Sequence, residues 1–354
     1  MKMEIFRNYR VSYLEDRAIL PSLINFWPRC WFAAAVIALL LLPLPLEQYW
    51  VYTINFGLIA VIGALGLNLL TGYAGQISLA HASFLALGAY TTALLGRFDL
   101  PLLVVIPAAG MVAASVGCLV AGPTLRLRGL YLALATLAFY VIIDFAIRKA
   151  DFLTGGAAGT HVAPPTIFGK IVQGELPFYY MTLGIAAVSV LFVKNLERSK
   201  VGRAMMAVRD SDIAAEMAGI PIFLTKLTAF GISSFMAGVA GSLLAYYLQF
   251  INPDNFGLSV SVSYVAMIIV GGLGTVIGSV LGALFIVLLP EVVRVALHAA
   301  ASVFPGLNVA ASGAFVEGAA YGLIIILFLM FKPEGLARFW RDILTYFRSW
   351  PFTY

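Results

Sequence analysis

Residues 194–226 read KNLERSKVGRAMMAVRDSDIAAEMAGIPIFLTK, and they form the only long polar interruption in an otherwise apolar chain. Of the 354 residues, 62% are hydrophobic and 11% are charged. A soluble domain carries roughly 25% charged residues. The apolar runs on both sides approach the roughly 20 residues that a membrane-spanning helix needs. The sequence therefore predicts an all-α polytopic membrane protein in which this polar segment connects two sets of spans.

The polar segment has the pattern of two short helices. Ser199 is a candidate N-cap for the first helix, and Ser211 or Asp210 for the second. Gly219, followed by residues 220–221, is a candidate stop signal for the second helix. Helical spacing places four apolar residues on one face of the first helix: Val201, Ala204, Met205 and Val208. The segment is therefore predicted to be structured.

Two interpretations of this segment remain open. Its positive charge is typical of a solvated cytoplasmic loop that obeys the positive-inside rule. Its many Ala and Met residues between positions 204 and 218 instead favour a surface that fits a groove in another protein. We favour the second interpretation and predict that residues 194–226 dock onto a partner.

The distribution of Lys and Arg predicts ten spans with both termini in the cytoplasm. Residues 1–30 form a cytoplasmic N-terminal segment, 31–193 carry spans one to six, 227–331 carry spans seven to ten, and 332–354 form a cytoplasmic tail. Of the 22 Lys and Arg residues, those placed outside are Arg97, Arg148, Lys149, Lys170 and Arg294. The net charge of +5 is thus explained by orientation and does not indicate nucleic acid.

The run from 258 to 297 is too long for a single crossing at roughly 20 residues per span. We expect it to cross twice with a glycine turn at 271–274, although a partly re-entrant path is an alternative. Glycines at every fourth position predict close helix packing, and they are Gly274, Gly278 and Gly282. Residues 154–159, which are rich in glycine, are expected to form a flexible outside loop without a packing role.

Residues 68–81 concentrate glycines and hydrogen-bonding side chains at the boundary between spans two and three. Backbone groups freed there could face a water-filled cavity, or the stretch could be a tight turn with capping side chains. His81 is interpreted as a hydrogen-bonding group at a helix end, because His161 and His298 lie on other segments without metal-ligand spacing.

Several classes of protein are disfavoured by what the sequence lacks. It contains no GxxxxGK[ST] motif, so this chain is not expected to hydrolyse ATP itself. Acidic residues within spans have basic partners one turn away, Asp144 with Arg148 and Glu291 with Arg294. A proton- or sodium-coupled carrier generally needs an acidic group near the midplane, and a membrane-embedded enzyme needs a catalytic constellation. Neither is evident.

Several motifs, in order along the chain, resemble the LivM-type permeases of branched-chain amino acid ABC transporters. They include residues 68–81, 125–136, 202–220 and 317–323. In that family the third of these is the coupling segment, which occupies a cleft of the ATPase subunit. The resemblance implies that these residues couple to the ATPase: Gly202, Arg203, Ala204, Ala207, Arg209, Asp210, Ala214, Ala215 and Gly219.

The resemblance also implies a complex in a bacterial inner membrane. Its parts would be a second, similar permease in a heterodimer, two ATPase subunits that hold ATP and Mg, and an external substrate-binding protein; this chain would carry no cofactor. The cargo would be leucine, isoleucine, valine or another hydrophobic amino acid. We expect small and weakly polar residues to line the substrate path, with these candidates: Asn68, Gly72, Gly75, Gln76, Ser78 and Thr136. The alternatives are a permease for urea or an amide, and a stand-alone secondary carrier.

Overall fold

The computed structural model describes residues 37–303, apart from 99, 126, 128, 168, 169 and 173, together with 322–323, 326, 330 and 335–339. The chain divides into two compact units, residues 1–51 and 52–354. The start of the predicted first span is outside the described residues, and so are most of the tenth span and of both tails. The count of ten spans and the location of the termini therefore stay predictions.

Helices dominate the described residues. The α-helices are α1 (Gln48–Asn68), α2 (His81–Gly96), α3 (Leu102–Thr124), α4 (Leu130–Lys149), α5 (Asp151–Thr154), α6 (Glu175–Arg198), α7 (Lys200–Asp210), α8 (Asp212–Met217), α9 (Ile222–Leu248), α10 (Leu258–Gly271) and α11 (Val276–Val303). A π-helix (Leu69–Tyr73) extends α1, and 3₁₀ turns cover Gly156–Ala158 and Pro253–Phe256. Two antiparallel pairs of short strands join β1 (Thr160–His161) to β4 (Phe250–Ile251) and β2 (Thr166–Ile167) to β3 (Lys170–Ile171).

The predicted spans two to nine correspond to α1, α2, α3, α4, α6, α9, α10 and α11. Seven helical stretches within the described part of the chain are long and apolar enough to cross a membrane, and α10 is among them only together with the preceding 3₁₀ turn, as Pro253–Gly271. The exception is α2, which has 16 residues and is about 24 Å long at 1.5 Å per residue, short of the roughly 30 Å hydrocarbon core. The two helices that a double crossing of 258–297 requires are present as α10 and α11, with a turn between them, and the crossing itself stays a prediction.

The core is built around α1, α2 and α9. In the most apolar 18-residue stretch of α1, 89% of the residues are buried, and in that of α9, 72%. The corresponding share in α3, α4, α6, α10 and α11 is 28–39%. Two glycine contacts let α2 and α9 touch backbone to backbone: a Cβ on Gly241 would overlap the Leu85 carbonyl, and one on Gly88 would overlap the Gly238 carbonyl. The apolar outer faces of the other helices are therefore free to meet lipid or another subunit.

The glycine stripe brings α10 and α11 into close contact. A Cβ on Gly282 would overlap the Met267 carbonyl, and one on Gly278 would lie 2.7 Å from the Gly271 carbonyl oxygen. Gly274 has a φ of 72°, which lets the chain turn between the two helices. The close helix approach that the spacing predicts is present within this chain.

Residues 154–159 take part in packing through Thr154 and Gly156, so the expectation that this segment has no packing role is wrong. Thr154 is buried, and its hydroxyl donates to the Ile147 carbonyl at 2.6 Å and the Ala150 carbonyl at 2.9 Å. The strand β1, which begins directly after Gly159, pairs with β4. The glycines serve this packing, because Gly155, Gly156 and Gly159 all have positive φ.

A substitution at Gly159 should therefore destabilise the fold. Gly159 has a φ of 82°, and a Cβ there would lie 2.5 Å from the Ile251 carbonyl oxygen. We expect Gly159→Val to lower the free energy of unfolding by about 1–3 kcal/mol from backbone strain alone. Thermal unfolding of the purified chain in detergent measures the effect. Ala157→Val is the matched control, because Ala157 is exposed on the same segment; equal unfolding temperatures of the two variants would contradict the prediction.

Ion pairs connect helices at the end of the bundle that carries β1. Arg148 Nε donates to Asp144 Oδ2 at 2.9 Å, and Arg148 Nη2 donates to Asp254 Oδ1 at 2.8 Å. The predicted Asp144 pair is confirmed, and so is the Glu291–Arg294 pair at 3.0 Å. The Asp254 contact, which joins α4 to the turn before α10, is not visible in the sequence pattern. Because Asp254 is largely exposed, this contact contributes little to stability.

Candidate functional site

The helices α7 and α8 are capped as the sequence predicts. The Ser199 hydroxyl accepts from the Gly202 N–H at 3.2 Å, and the Ser211 hydroxyl accepts from the Ala214 N–H at 3.2 Å. Each such cap contributes about 1 kcal/mol. At the end of α8 a Schellman motif forms, in which the Ile220 N–H donates to the Ala215 carbonyl at 3.0 Å and Gly219 adopts a φ of 78°. The segment is thus a structured pair of helices.

The buried face of α7 differs in part from the predicted one. Met205 and Val208 are buried, as expected, whereas Val201 is 41% exposed. Gly202 takes the inward position instead. A Cβ on Gly202 would overlap the Leu196 carbonyl in the last turn of α6, so this close approach rotates the face by one residue. The face that packs on the bundle is therefore Gly202, Met205 and Val208.

On α8 the exposed apolar residues are Ile213 and Met217, which are 74% and 85% exposed. They are one helical turn apart and so share a face. Ala215 is 2% exposed and packs against this chain, so its expected place on an exposed docking face is wrong. The amine of Lys226 donates to Asp212 Oδ2 at 2.8 Å, which fixes α8 to the start of α9. We name Ile213 and Met217 the α8 knob.

The nine residues predicted to couple to an ATPase therefore fall into distinct groups. Five are exposed, two are half-buried and two are buried within this chain. The exposed ones are Arg203, Arg209, Asp210, Ala214 and Gly219; the half-buried ones are Ala204 and Ala207; the buried ones are Gly202 and Ala215. Although Arg209 is exposed, its guanidinium reaches the spans: Nη1 donates to the Gly72 carbonyl at 2.6 Å.

The span that follows α1 is broken. After the π-helix the chain bends at Gly75, where φ is 68°, and continues without helical structure until α2 begins at His81. The His81 ring makes a hydrogen bond with the backbone of Gly63 and lies 4.8 Å from the Tyr264 ring. Gly63 is about 14 Å along α1 from Gly72, at 1.5 Å per residue. The helix α2 therefore starts well inside the bundle, and residues 74–80 cross the remaining depth without helical structure.

The predicted path residues separate into two places. Asn68 joins α1 to the turn before α11: it accepts from the Gly274 N–H at 2.9 Å and donates to the Thr275 carbonyl at 2.9 Å and the Ser279 hydroxyl at 2.7 Å. Gly72 lies in the same contact, since a Cβ there would overlap the Gly274 N–H. The geometry of these two residues favours a structural role.

The other predicted path residues lie in the non-helical segment 74–80 or contact it. Thr136 is fully buried on α4 and accepts from the Leu79 N–H at 3.0 Å. Ser78 accepts from the Ala80 N–H at 3.3 Å. Gln76 is 3% exposed, and neither its Nε2 nor its Oε1 has a hydrogen-bond partner among the described residues. Leaving such a group unpaired costs about 1–3 kcal/mol.

Further polar groups, beyond the predicted path residues, surround the start of α2. His81 Nε2 and the Ser83 hydroxyl are buried without a partner in the described part of the chain. Ser261 on α10 accepts from the Ala82 N–H at 2.9 Å. The sequence contains a pattern that could have indicated Ser261: serine occurs at every second position in 259–263, which is unusual for an apolar span. We name Gln76, His81 and Ser83 the break cluster.

The break cluster is suited to hydrogen bonding and not to metal chemistry. Within residues 37–303 and the short described stretches beyond, no group of three His, Cys, Asp or Glu side chains could hold a metal ion. The Gln76 amide, His81 Nε2 and the Ser83 hydroxyl, which have no partner among the described residues, can instead donate to and accept from a small neutral or zwitterionic solute.

Residues 49–331 match the family described as "Branched-chain amino acid transport system / permease component". The chain is 35% identical to the high-affinity branched-chain amino acid transport system permease protein LivM of Escherichia coli, over 67% of this chain and 62% of that protein. It is 24% identical to the probable LivM of Methanocaldococcus jannaschii, over 66% of this chain and 68% of that protein. It is also 24% identical to the ribose import permease protein RbsC of Haemophilus influenzae, over 63% of this chain and 70% of that protein.

The matched region spans less than two thirds of the length of the Escherichia coli relative. No solved structure gives a significant match. The family match nevertheless covers most of the chain and includes α1 to α11 apart from the first residue of α1. The chain therefore belongs to the family of permease components of branched-chain amino acid transport systems.

Proposed function

We propose that the chain is the permease subunit of an ATP-driven importer for branched-chain or other hydrophobic amino acids. A second, similar permease, two ATPase subunits that hold ATP and Mg, and an extracytoplasmic binding protein complete the transporter. The observation that carries the proposal is the capped helix pair α7–α8, which exposes an apolar knob at one end of an apolar bundle. Family membership supports the same assignment.

In this proposal residues 194–226 are the cytoplasmic coupling segment. The α8 knob enters a groove of the ATPase, because two large apolar side chains on a rigid short helix are costly in water and favourable in a groove. Arg203, Ala204, Ala207, Asp210 and Ala214 line the remainder of the contact. The buried Gly202 and Ala215 support the shape of the segment, and Gly219 ends α8.

The substrate path runs along the broken span. Residues 74–80 leave the helix where Gln76, Ser78 and Thr136 converge, and irregular backbone at membrane depth requires a sheltered or water-lined site. The unpaired groups of the break cluster support this location, because buried polar groups without partners are few in folded proteins and a passing solute would account for three of them. A zwitterionic amino acid can satisfy them in passing, and ATP-driven closure of the partner subunits opens the path to alternate sides.

Reconstitution tests the proposal. The tagged chain is purified with its bound proteins, which are identified by mass spectrometry, and the complex is placed in liposomes with its binding protein and L-leucine as the probe. We expect uptake that requires ATP and an intact ATPase. Uptake that persists after the ATPase is stripped would instead identify a secondary carrier. Uptake of urea without L-leucine would contradict the proposed cargo and leave the ATP-driven mechanism in place.

A further inference from the structure

Arg209 lies at a contact between three segments of the chain. Its Nη1 donates to the Gly72 carbonyl at 2.6 Å, at the end of the π-helix. Its Cα, Cβ and Cγ lie 3.2–3.4 Å from where a Cβ on Gly75 would be, at the bend in the non-helical residues 74–80. A Cβ on Gly274, in the turn before α11, would lie 2.8 Å from Nη1. One side chain of α7 thus contacts both turns of the bundle at this end.

The chemistry of the contact is specific. In a continued helix the Gly72 carbonyl would accept from a later N–H, but the chain turns away at Gly75 and leaves it without that donor. A guanidinium is a strong donor for such a carbonyl, and a cation is favourable at a helix C-terminus. No side chain fits at Gly72 or Gly274, so the three segments meet without intervening atoms that could absorb a displacement.

Asn68 completes the connection. Its amide binds Gly274, Thr275 and Ser279, which fixes the turn before α11 to the last turn of α1. A displacement of α7 would therefore move the end of α1 and the turn together. The non-helical residues 74–80 connect this contact directly to Gln76 and the rest of the break cluster.

We propose that Arg209 is a positioning residue that transmits movement of α7 to the broken span, through the contact with Gly72, Gly75 and Gly274. The inference rests on the proposed coupling function, and it adds the route by which that coupling reaches the substrate path. Arg209 is then not part of the ATPase contact, although it lies on the same helix as Arg203.

A pair of matched variants tests the route. Lys200 also carries a positive charge on α7, but it is exposed and lies outside the proposed contact with the ATPase. Lys200→Met and Arg209→Met therefore each remove one positive charge from α7, and only the second removes a hydrogen bond to the bundle. We expect both to retain bound ATPase and basal ATP hydrolysis. In Arg209→Met, L-leucine uptake and its stimulation of hydrolysis should fall roughly tenfold or more, the factor that loss of one charged hydrogen bond produces. Arg209→Lys should restore part of both.

The outcomes separate the inference from the proposed function. If Arg209→Met transports as well as Lys200→Met, or if it loses the ATPase, Arg209 is not the transmitting residue. If the unmodified chain binds no ATPase, the proposed function itself fails. If Arg209→Met does not fold, spin labels on a chain that keeps Arg209 test the route instead. Cys30 and Cys118 are replaced by serine, and labels are attached at Lys200 and Leu273. The mean distance between the two labels should stay the same when ATP is added. A changed distance would mean that α7 and the turn move independently, which overturns the proposal.

Discussion

Replacing Gly241 with leucine is expected to abolish recovery of the folded chain. A Cβ at this position would already overlap the Leu85 carbonyl, which belongs to the backbone of α2 and cannot rotate away. Overpacking in a core costs about 1–3 kcal/mol when side chains can adjust. We expect a larger loss here, because α2 and α9 would have to separate along the most buried contact of the bundle. Size-exclusion chromatography of the solubilised chain measures folded recovery.

Gly184→Leu is the control for this experiment. Gly184 also lies inside a long helix, α6, but nothing lies within 4 Å of a Cβ built there. Both changes add the same side chain and improve helix propensity equally. Folded recovery of Gly184→Leu should match that of the unmodified chain. If Gly241→Leu is recovered equally well, the backbone contact between α2 and α9 is not what holds the core together.

Charging the α8 knob is expected to abolish ATPase association while the spans remain inserted. Ile213→Arg combined with Met217→Arg places two cations where the proposed groove requires apolar side chains. Truncating a single interface hot spot costs about 2 kcal/mol or more, and a buried unpaired charge costs several. Co-purification of the ATPase with the tagged chain measures the loss. Both side chains are exposed in this chain, so its own packing should be unaffected.

Lys200→Ala serves as the control, because Lys200 is exposed at the start of α7 and outside the knob. It should retain bound ATPase and hydrolysis that responds to L-leucine. Retention of the ATPase by the doubly charged variant would remove the α8 knob from the interface and would favour a solvated loop. Ala215→Arg is not a suitable docking variant, because Ala215 is buried within the chain and its replacement would disturb α8 itself.

The local features of this protein are readable from its sequence, and the long-range ones are not. Caps at Ser199 and Ser211 depend on residues three positions away, so a short pattern is enough to predict them. The contact between Arg209 and Gly72 joins residues 137 positions apart, and that between Asn68 and Gly274 joins residues 206 apart. Such contacts depend on how the helices pack. The exposure of Val201 and the burial of Ala215 have the same origin, because neighbouring helices decide which face turns inward.

The non-helical residues 74–80 are also longer than the depth that they cross requires. Seven residues can reach roughly 23 Å at 3.3 Å per residue, whereas the depth from Gly72 to the level of Gly63 is about 14 Å. The helix α2 can therefore shift along its axis by several ångströms without losing any of its internal backbone hydrogen bonds. Such a shift would break the bonds of the Thr136 and Ser261 hydroxyls to the backbone at the start of α2 and the bond between His81 and Gly63. It would also have to carry α9 along, because α9 touches α2 at Gly88 and Gly241 and through the hydrogen bond between Thr92 and Ser242. A continuous helix in this position would have to unwind to permit the same excursion.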